Sequence, residues 1–351
     1  MKIAILGDVH FGARNDNPNF SKFFEKFYSQ IFFPYLEQNG IEHIIQLGDV
    51  FDRRKFINFA SLNDCYRYFF DQLKGFKTYI IAGNHDVYYK NTNKLNSLEL
   101  LINRPYIEIV TNKPKEINIG GMQILLCPWI TDDNYEKSLE IIDSTKSQIM
   151  MGHFDMIGFE MYKGHVSDVG FDPKRFDKFD MVLSGHYHHK SHAGNITYVG
   201  VPYEMVWSDY NDQKGFHVLD TDTRELEFIS NPFTMFHKIY YNDINQPIGY
   251  VNSFDLLKLE GTYVKVVVRN KINLNWFDFL IDRLEKVGVA DLQVVEDHFH
   301  LDLESDDDII NQTEDTLTIL KKYVNQIDTT VDRGKLDQLI RDLYREALSI
   351  E

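Results

Sequence analysis

Only two cysteines occur in 351 residues, Cys65 and Cys127, in unrelated surroundings. That excludes a disulfide framework and a zinc site built on thiolates, and leaves both as core side chains. Cations are scarce too: 37 Lys and Arg stand against 53 Asp and Glu, a net charge of −16. Phosphate backbones are normally met by clustered Lys and Arg, so bulk electrostatics will not hold a nucleic acid here. Bound cations or a partner must supply much of the positive field for any such substrate. No apolar run approaches the roughly 20 residues that span a bilayer. Met1-Lys2 leads straight into "IAILGD", with no charged n-region, apolar stretch and cleavage site. These absences predict a soluble, cytoplasmic protein without a membrane partner.

What is present is an ordinary globular composition, 43% hydrophobic, enough to bury a sizeable core. The length suits one large catalytic domain with one or two small appendages. Over residues 1–235, short apolar runs alternate with longer amphipathic segments, the pattern of an α/β layered fold. The runs are "KIAIL", "HIIQL", "TYIIA", "QILLC", "SQIMM", "DMVLS" and "ITYVGV". "EINIGGMQILL" predicts a hairpin turning on Gly120-Gly121, and "KGFHVLDTDTRELEFI" another near Asp222. "FSKFFEKFYSQIFFPYLEQNG" reads as helical and stops at Gly40, as a C′ glycine would.

Residues 236–304 form a second unit, in which "TYVKVVVRN" and "LQVVEDHFHLDL" flank the helical "NWFDFLIDRLEKVG". This is a βαβ accessory module. The acidic run Glu304 to Asp308 straddles the next boundary, and residues 305–351 continue as two amphipathic helices. One carries Leu317, Leu320, Val324 and Ile327, the other Leu336, Leu339, Ile340, Leu343 and Ala347. These stripes pack on the accessory module or dock on a partner.

Five of the apolar runs share one ending: a glycine, then Asp, Asn or His. They are "AILGDVH", "IIQLGDVFD", "YIIAGNHD", "IMMGHF" and "MVLSGHYH". In an α/β sheet, functional groups collect beyond the carboxyl ends of the strands. A glycine there lets the chain turn sharply and aim the next side chain inward. One such tail is weak evidence, but five in sequence are not. The donors that converge are Asp8, His10, Asp49, Asn84, His85, His153, His186 and His188. They are too many for one four-coordinate zinc. Carboxylate, amide and imidazole without thiolate suit one or two ions such as manganese or iron. Two ions roughly 4 Å apart, bridged by one carboxylate, clamp the attacking and leaving oxygens of a phosphoester. Asp49 is the natural bridge.

The set DxH, GDxxD, GNHD, GH and GHxH resembles the calcineurin-like metallophosphoesterase superfamily. Motif order, "GDVFDRRK", and a small module followed by helices resemble its SbcD-type nucleases, including those of large tailed phages. "CPWITDD", "GFEMYKG" and "YVGVPYEM" add to the likeness. The resemblance implies a two-sheet sandwich flanked by helices, a small cap and C-terminal helices. It implies DNA as substrate and two Mn(2+) ions, with Mg or Fe as substitutes. One ion is held by Asp8, His10, Asp49 and His188, the other by Asp49, Asn84, His153 and His186. His85 becomes the catalytic histidine, Asp86 orients it, and Asp52 supports the site. The implied partner is an SbcC-type coiled-coil ATPase docked through residues 309–351, with the nuclease a homodimer inside a heterotetramer. For a phage protein, the compartment is the host cytoplasm.

Other residues have two readings each. Arg53, Arg54 and Lys55 follow the second motif and are candidates for DNA phosphate contacts, or a solvated turn. His165, in the loop after the fourth motif, is a candidate substrate contact. In "LSGHYHHKSHAG", His186 and His188 point the same way at strand period two. His189 points away, and His192 lies beyond the turn. His43 is structural, and His298 and His300 are surface residues of the cap. The aromatic-rich "FSKFFEKFYSQIFF" and "FINFASLNDCYRYFF" are candidate dimer helices, with core packing the alternative. The reaction expected is hydrolysis of DNA phosphodiesters in end processing, recombination and repair. The competing expectations are a protein phosphatase or nucleotide phosphodiesterase of the same superfamily, and a scaffold that has lost activity. The third motif ends in Asp, where those phosphatases carry Glu, and a complete ligand set argues against decay.

Overall fold

In the computed structural model the chain divides into two units, Met1–Glu296 and Asp297–Glu351. The structure describes residues 1–296 apart from residue 163. The expected tail helices, the acidic run, His298 and His300 lie outside the described residues.

Two six-stranded sheets dominate. The first contains β1 (Lys2–Leu6), β2 (His43–Gln46), β3 (Lys77–Ile81), β6 (Ile107–Val110), β15 (Gly215–Asp220) and β16 (Leu226–Ser230), in the order β16-β15-β1-β2-β3-β6. A small hairpin, β4 (Val87–Tyr89) and β5 (Thr92–Asn96), follows β3. The second sheet contains β7 (Lys115–Ile119), β8 (Met122–Cys127), β9 (Ile149–His153), β12 (Met181–Gly185), β13 (Ser191–Ala193) and β14 (Ile196–Tyr198). Its order is β13-β14-β12-β9-β8-β7. Between β9 and β12 lies the hairpin β10 (Glu160–Tyr162) and β11 (His165–Val166). Both long hairpins expected from sequence are present, β7–β8 and β15–β16.

Alternation explains the layering. Ile3 and Ile5 of β1 face the same buried cluster as Ile124 and Leu126 of β8, Met151 of β9 and Leu183 of β12, so this cluster lies between the sheets. Ala4 and Leu6, one residue out of phase, face the helical aromatics Phe20, Phe24, Phe27, Phe69 and Phe70. Leu125, Met150 and Val182 face a third cluster with Ile142, Phe154 and Phe176. The result is a two-sheet sandwich flanked by helices.

The first helical segment runs through Pro18–Phe27, a π turn at Tyr28–Phe32, and Phe33–Gln38. Pro34 lacks the N–H an α ladder needs, and the π turn reroutes the bonds around it, with Phe33 N–H donating to the Tyr28 carbonyl. Its aromatics are core residues: Phe20, Phe24, Phe27 and Phe32 are all 1% exposed or less. Core packing therefore accounts for this segment.

The accessory sheet has one strand more than expected. β17 (Phe236–Asn242), β18 (Tyr263–Asn270) and β19 (Asp291–Glu296) are all parallel, in that order. The helix Leu274–Val287 covers one face through Phe277, Leu280 and Leu284, starting at an Asn273 cap and ending at Gly288 with φ 80°. β17 escapes a pattern reading because its burial does not alternate cleanly.

Candidate active site

The sheet order brings the five tails together. β1, β2 and β3 are adjacent and parallel in the first sheet, and β9 and β12 are adjacent and parallel in the second. All five end at one edge of the sandwich. There the side chains of Asp8, His10, Asp49, Asn84, His85, His153, His186 and His188 gather. Three sets of donor atoms fall within 4.8 Å of one another: Asp8, His10 and His188; His10, Asp49 and His85; and Asp49, His153 and His186.

The glycines act differently from what the tails suggest. Only Gly48 of the five has a left-handed φ, at 99°. The sharp turns are made by the donor residues: His10 (φ 41°), Asp49 (φ 53°) and His186 (φ 87°). What the other glycines supply is space. A Cβ on Gly83 would sit 2.2 Å from Asp49 Oδ1. The tails approach too closely for any side chain.

The β1 and β2 tails are laced by their main chains, and carboxylates tie in the β3 tail. Val9 and His10 N–H both donate to the Asp49 carbonyl, Phe11 N–H to Val50, and Asp52 N–H to Phe11. The Asp86 carboxylate accepts from Asp49 N–H at 2.8 Å, Val50 N–H at 3.0 Å and Gly83 N–H at 2.9 Å. This corrects the expectation that Asp86 orients the His85 ring: its oxygens are taken by three amides, and it fixes the Asp49 turn instead. His85 is oriented by other groups. Its N–H donates to Asp49 Oδ1 at 2.7 Å, and its Nδ1 faces the Asp52 carbonyl. The Asp52 carboxylate lies 3.7 Å from His10 Nδ1.

In the second sheet, His153 is fully buried within β9. Its Nδ1–H donates to the Leu47 carbonyl at 2.7 Å, which turns Nε2 toward Asn84 Oδ1 at 2.8 Å and Asp49 Oδ2 at 3.4 Å. β12 stops at Gly185, so the expected period-two alignment of His186 and His188 does not apply: the left-handed His186 breaks it. His186 N–H donates to both Asp8 oxygens at 3.0 Å, and its Nε2 pairs with Asp155 at 2.6 Å. His188 Nε2 faces His10 Nε2 at 3.1 Å. The two histidines thus reach the cluster at different points.

Burial pushes the Asp8 carboxyl up to about 8, and Asp86 to about 7, with the neighbouring Asp49 charge adding to both. Asp49 is buried as well, but the imidazoles of His153, His85 and His10 hold it well below the usual carboxylate range. Against its burial, Asp49 and Asp8 push His153 up to about 10. Burial, with His188 and His85 beside it, holds His10 well below its ordinary value. Burial and the Lys214 charge bring His188 down to about 3.

These residues fit bound cations. The His10 and His188 rings meet nitrogen to nitrogen, and His10 Nδ1 is buried with no hydrogen-bond partner. Crowded buried carboxylates, and imidazoles held neutral as in His10 and His188, are the donors that hard and borderline divalent ions take.

The candidate substrate residues fare unevenly. Arg53 is paired with Asp16, which also accepts from Ser61 Oγ at 2.6 Å, so it braces the loop. Arg54 is half-buried and Lys55 exposed. His165 sits exposed on β11. His189 pairs with Asp212 at 3.0 Å and Glu160 at 3.3 Å, His192 with Thr197, and His43 heads β2. Sequence reasoning missed Asp155 as the partner of His186, and the Trp129 ring 5.2 Å from His186. It also missed Arg14: burial raises the Asp52 carboxyl, and the charges of His85 and Arg14 oppose that rise. Arg14 stands in a left-handed run with Asn15 and Asp16, at φ 55°, 58° and 59°. The only sequence signal for that run is Gly12 and the Asn-Asp pair beside it.

Among the described residues, no helix is long and apolar enough to cross a membrane. The sequence model of the calcineurin-like phosphoesterase family matches residues 1–190. Exonuclease subunit 1 of Enterobacteria phage T4 is 34% identical over 353 residues, covering 99% of this chain and 99% of that one. The SbcD subunit of the SbcCD nuclease of Staphylococcus epidermidis is 24% identical over 324 residues, 82% of this chain and 80% of that one. Among solved structures, an archaeal phosphodiesterase aligns with 66% of this chain and 100% of its own, at 16% identity and a TM-score of 0.32. That likeness is too distant to bear on fold or function.

Proposed function

This chain belongs to the calcineurin-like phosphoesterase family, and from that premise we propose that it is a dimetal-dependent DNA nuclease. The observation that carries the proposal is three adjoining donor sets, the first two sharing His10 and the last two sharing Asp49. The full-length likeness to a phage exonuclease subunit supports DNA as the substrate. Asp8, His10, Asp49 and His188 would hold one ion, and Asp49, Asn84, His153 and His186 the other. Manganese suits this oxygen and imidazole set, with magnesium or iron as substitutes. When bound, such a pair supplies Lewis acidity, acidifying water and neutralising charge on the phosphodiester oxygens.

The chain's own residues do the rest. His85 Nδ1–H donates to the Asp52 carbonyl, which leaves Nε2 on the opposite edge; in the imidazolium form Nε2–H gives its proton to the departing sugar oxygen and the ring is left neutral. Asp49 Oδ1 holds the His85 main chain, so proton donor and ion ligand keep a fixed spacing. Asp86 holds the Asp49 turn from behind.

The proposal includes a nuclease domain (1–235), a DNA-binding accessory domain (236–304) and a partner-binding tail (305–351). Both relatives are named as subunits, which supports a partner subunit; the proposal takes it to be an SbcC-type coiled-coil ATPase held through residues 309–351. A homodimer within a heterotetramer in the host cytoplasm, acting in recombination and repair, completes it. The test sets manganese-dependent cleavage of a labelled single-stranded oligonucleotide beside hydrolysis of p-nitrophenyl phosphate. The proposal expects DNA cleavage that EDTA abolishes. Turnover of the small ester with no DNA cleavage would refute the substrate assignment.

A further inference from the structure

His188 lies beyond the end of β12, where no strand ladder fixes its main chain. Something behind it must. Two groups do: Val201 N–H donates to its carbonyl at 3.3 Å, and behind that carbonyl stands Lys214, 4% exposed, in the loop before β15. Its ammonium donates to the His188 carbonyl at 3.0 Å and pairs with Asp212 at 2.8 Å and Asp209 at 2.7 Å. An ammonium has three N–H donors, and all three are used. The carboxylates are anchored in turn. Asp209 accepts from Met205 N–H at 2.8 Å and Val206 N–H at 3.0 Å, and Asp212 receives His189 Nδ1 at 3.0 Å.

A buried ammonium is costly unless it is paired and fully hydrogen-bonded, so this network has one low-energy arrangement. Together with the Val201 N–H, that arrangement holds the His188 carbonyl in place. The space around the carbonyl is already full, since a Cβ on Gly200 would come within 3.2 Å of it. With the main chain held from behind, the ring reaches His10, Nε2 to Nε2 at 3.1 Å.

We propose that Lys214 is a positioning residue. It sets the His188 main chain and thereby the affinity of the Asp8, His10 and His188 half of the site for its ion. The inference rests on the dimetal reading above. Partners one step removed from a ligand typically change metal affinity about 10- to 100-fold.

The test is a manganese titration of the full chain by calorimetry, with wild type, Lys214→Met and Lys214→Arg side by side. Wild type should take up two ions. Lys214→Met should bind one ion about 10- to 100-fold more weakly and leave the other unchanged. Its cleavage rate should return near wild type at saturating manganese, and Lys214→Arg should recover part of the affinity. If Lys214→Met does not fold, Asp209→Asn/Asp212→Asn/Lys214→Met removes the three charges together and takes its place. Two isotherms identical to wild type, in whichever variant folds, would overturn the inference, even if the melting temperature falls. A wild type that binds fewer than two ions would overturn the dimetal reading itself.

Discussion

The two halves of the site are built by different means. On the first sheet, the tails of β1 and β2 are tied main chain to main chain, and two carboxylates bring in the β3 tail: Asp86 gathers three amides and Asp49 takes the His85 N–H. On the second sheet, His153 is fixed inside its strand, while His186 and His188 lie past the end of β12. There side chains do most of the holding: Asp155 for the His186 ring, and Lys214, beside the Val201 N–H, for the His188 carbonyl. A laced half fails as a unit when its central carboxylate goes. A propped half should fail one ligand at a time.

That contrast orders the expected effects of mutation. Asp49→Ala, which removes the group shared by both proposed ion sites, should abolish DNA cleavage and both bound ions, read by metal analysis of the purified variant. Two manganese ions retained there would refute the bridge. His85→Gln should lower kcat by roughly 10²- to 10⁴-fold, the range of a lost general acid, and leave two ions bound. Loss of metal in that variant would move His85 from proton transfer to coordination.

Asp86→Ala strands three buried amides, each costing about 1–3 kcal/mol when unsatisfied. The folded state should be weakened by more than about 2 kcal/mol in urea unfolding. An unchanged midpoint would mean that the lacing adds little. Asp155→Asn should be mildest, keeping a polar partner for His186 and weakening one ion by at most about 10-fold. A total loss of both ions there would erase the distinction between a laced and a propped half.

The donors were legible in both halves because glycine followed by Asp, Asn or His is a local pattern repeated five times. The fold class was legible for the same reason: strand tails need strands. The braces were not. Asp86 lies beside His85 in sequence, yet its partners Asp49 and Val50 are 37 and 36 residues away. Asp155 and Lys214 reach residues 31 and 26 positions distant, and nothing local marks them. Arg53 looked free for the same reason, since Asp16 is 37 residues upstream. The reading of the glycines as turn-makers failed physically. Space decided four of them, and the donors themselves took up the left-handed turns.

The central claim is two ions sharing Asp49. Electron paramagnetic resonance of the manganese-loaded wild type tests it most directly. The account predicts two ions per chain with the signal of an exchange-coupled pair, absent in Asp49→Ala. A single uncoupled manganese signal at full loading would contradict it.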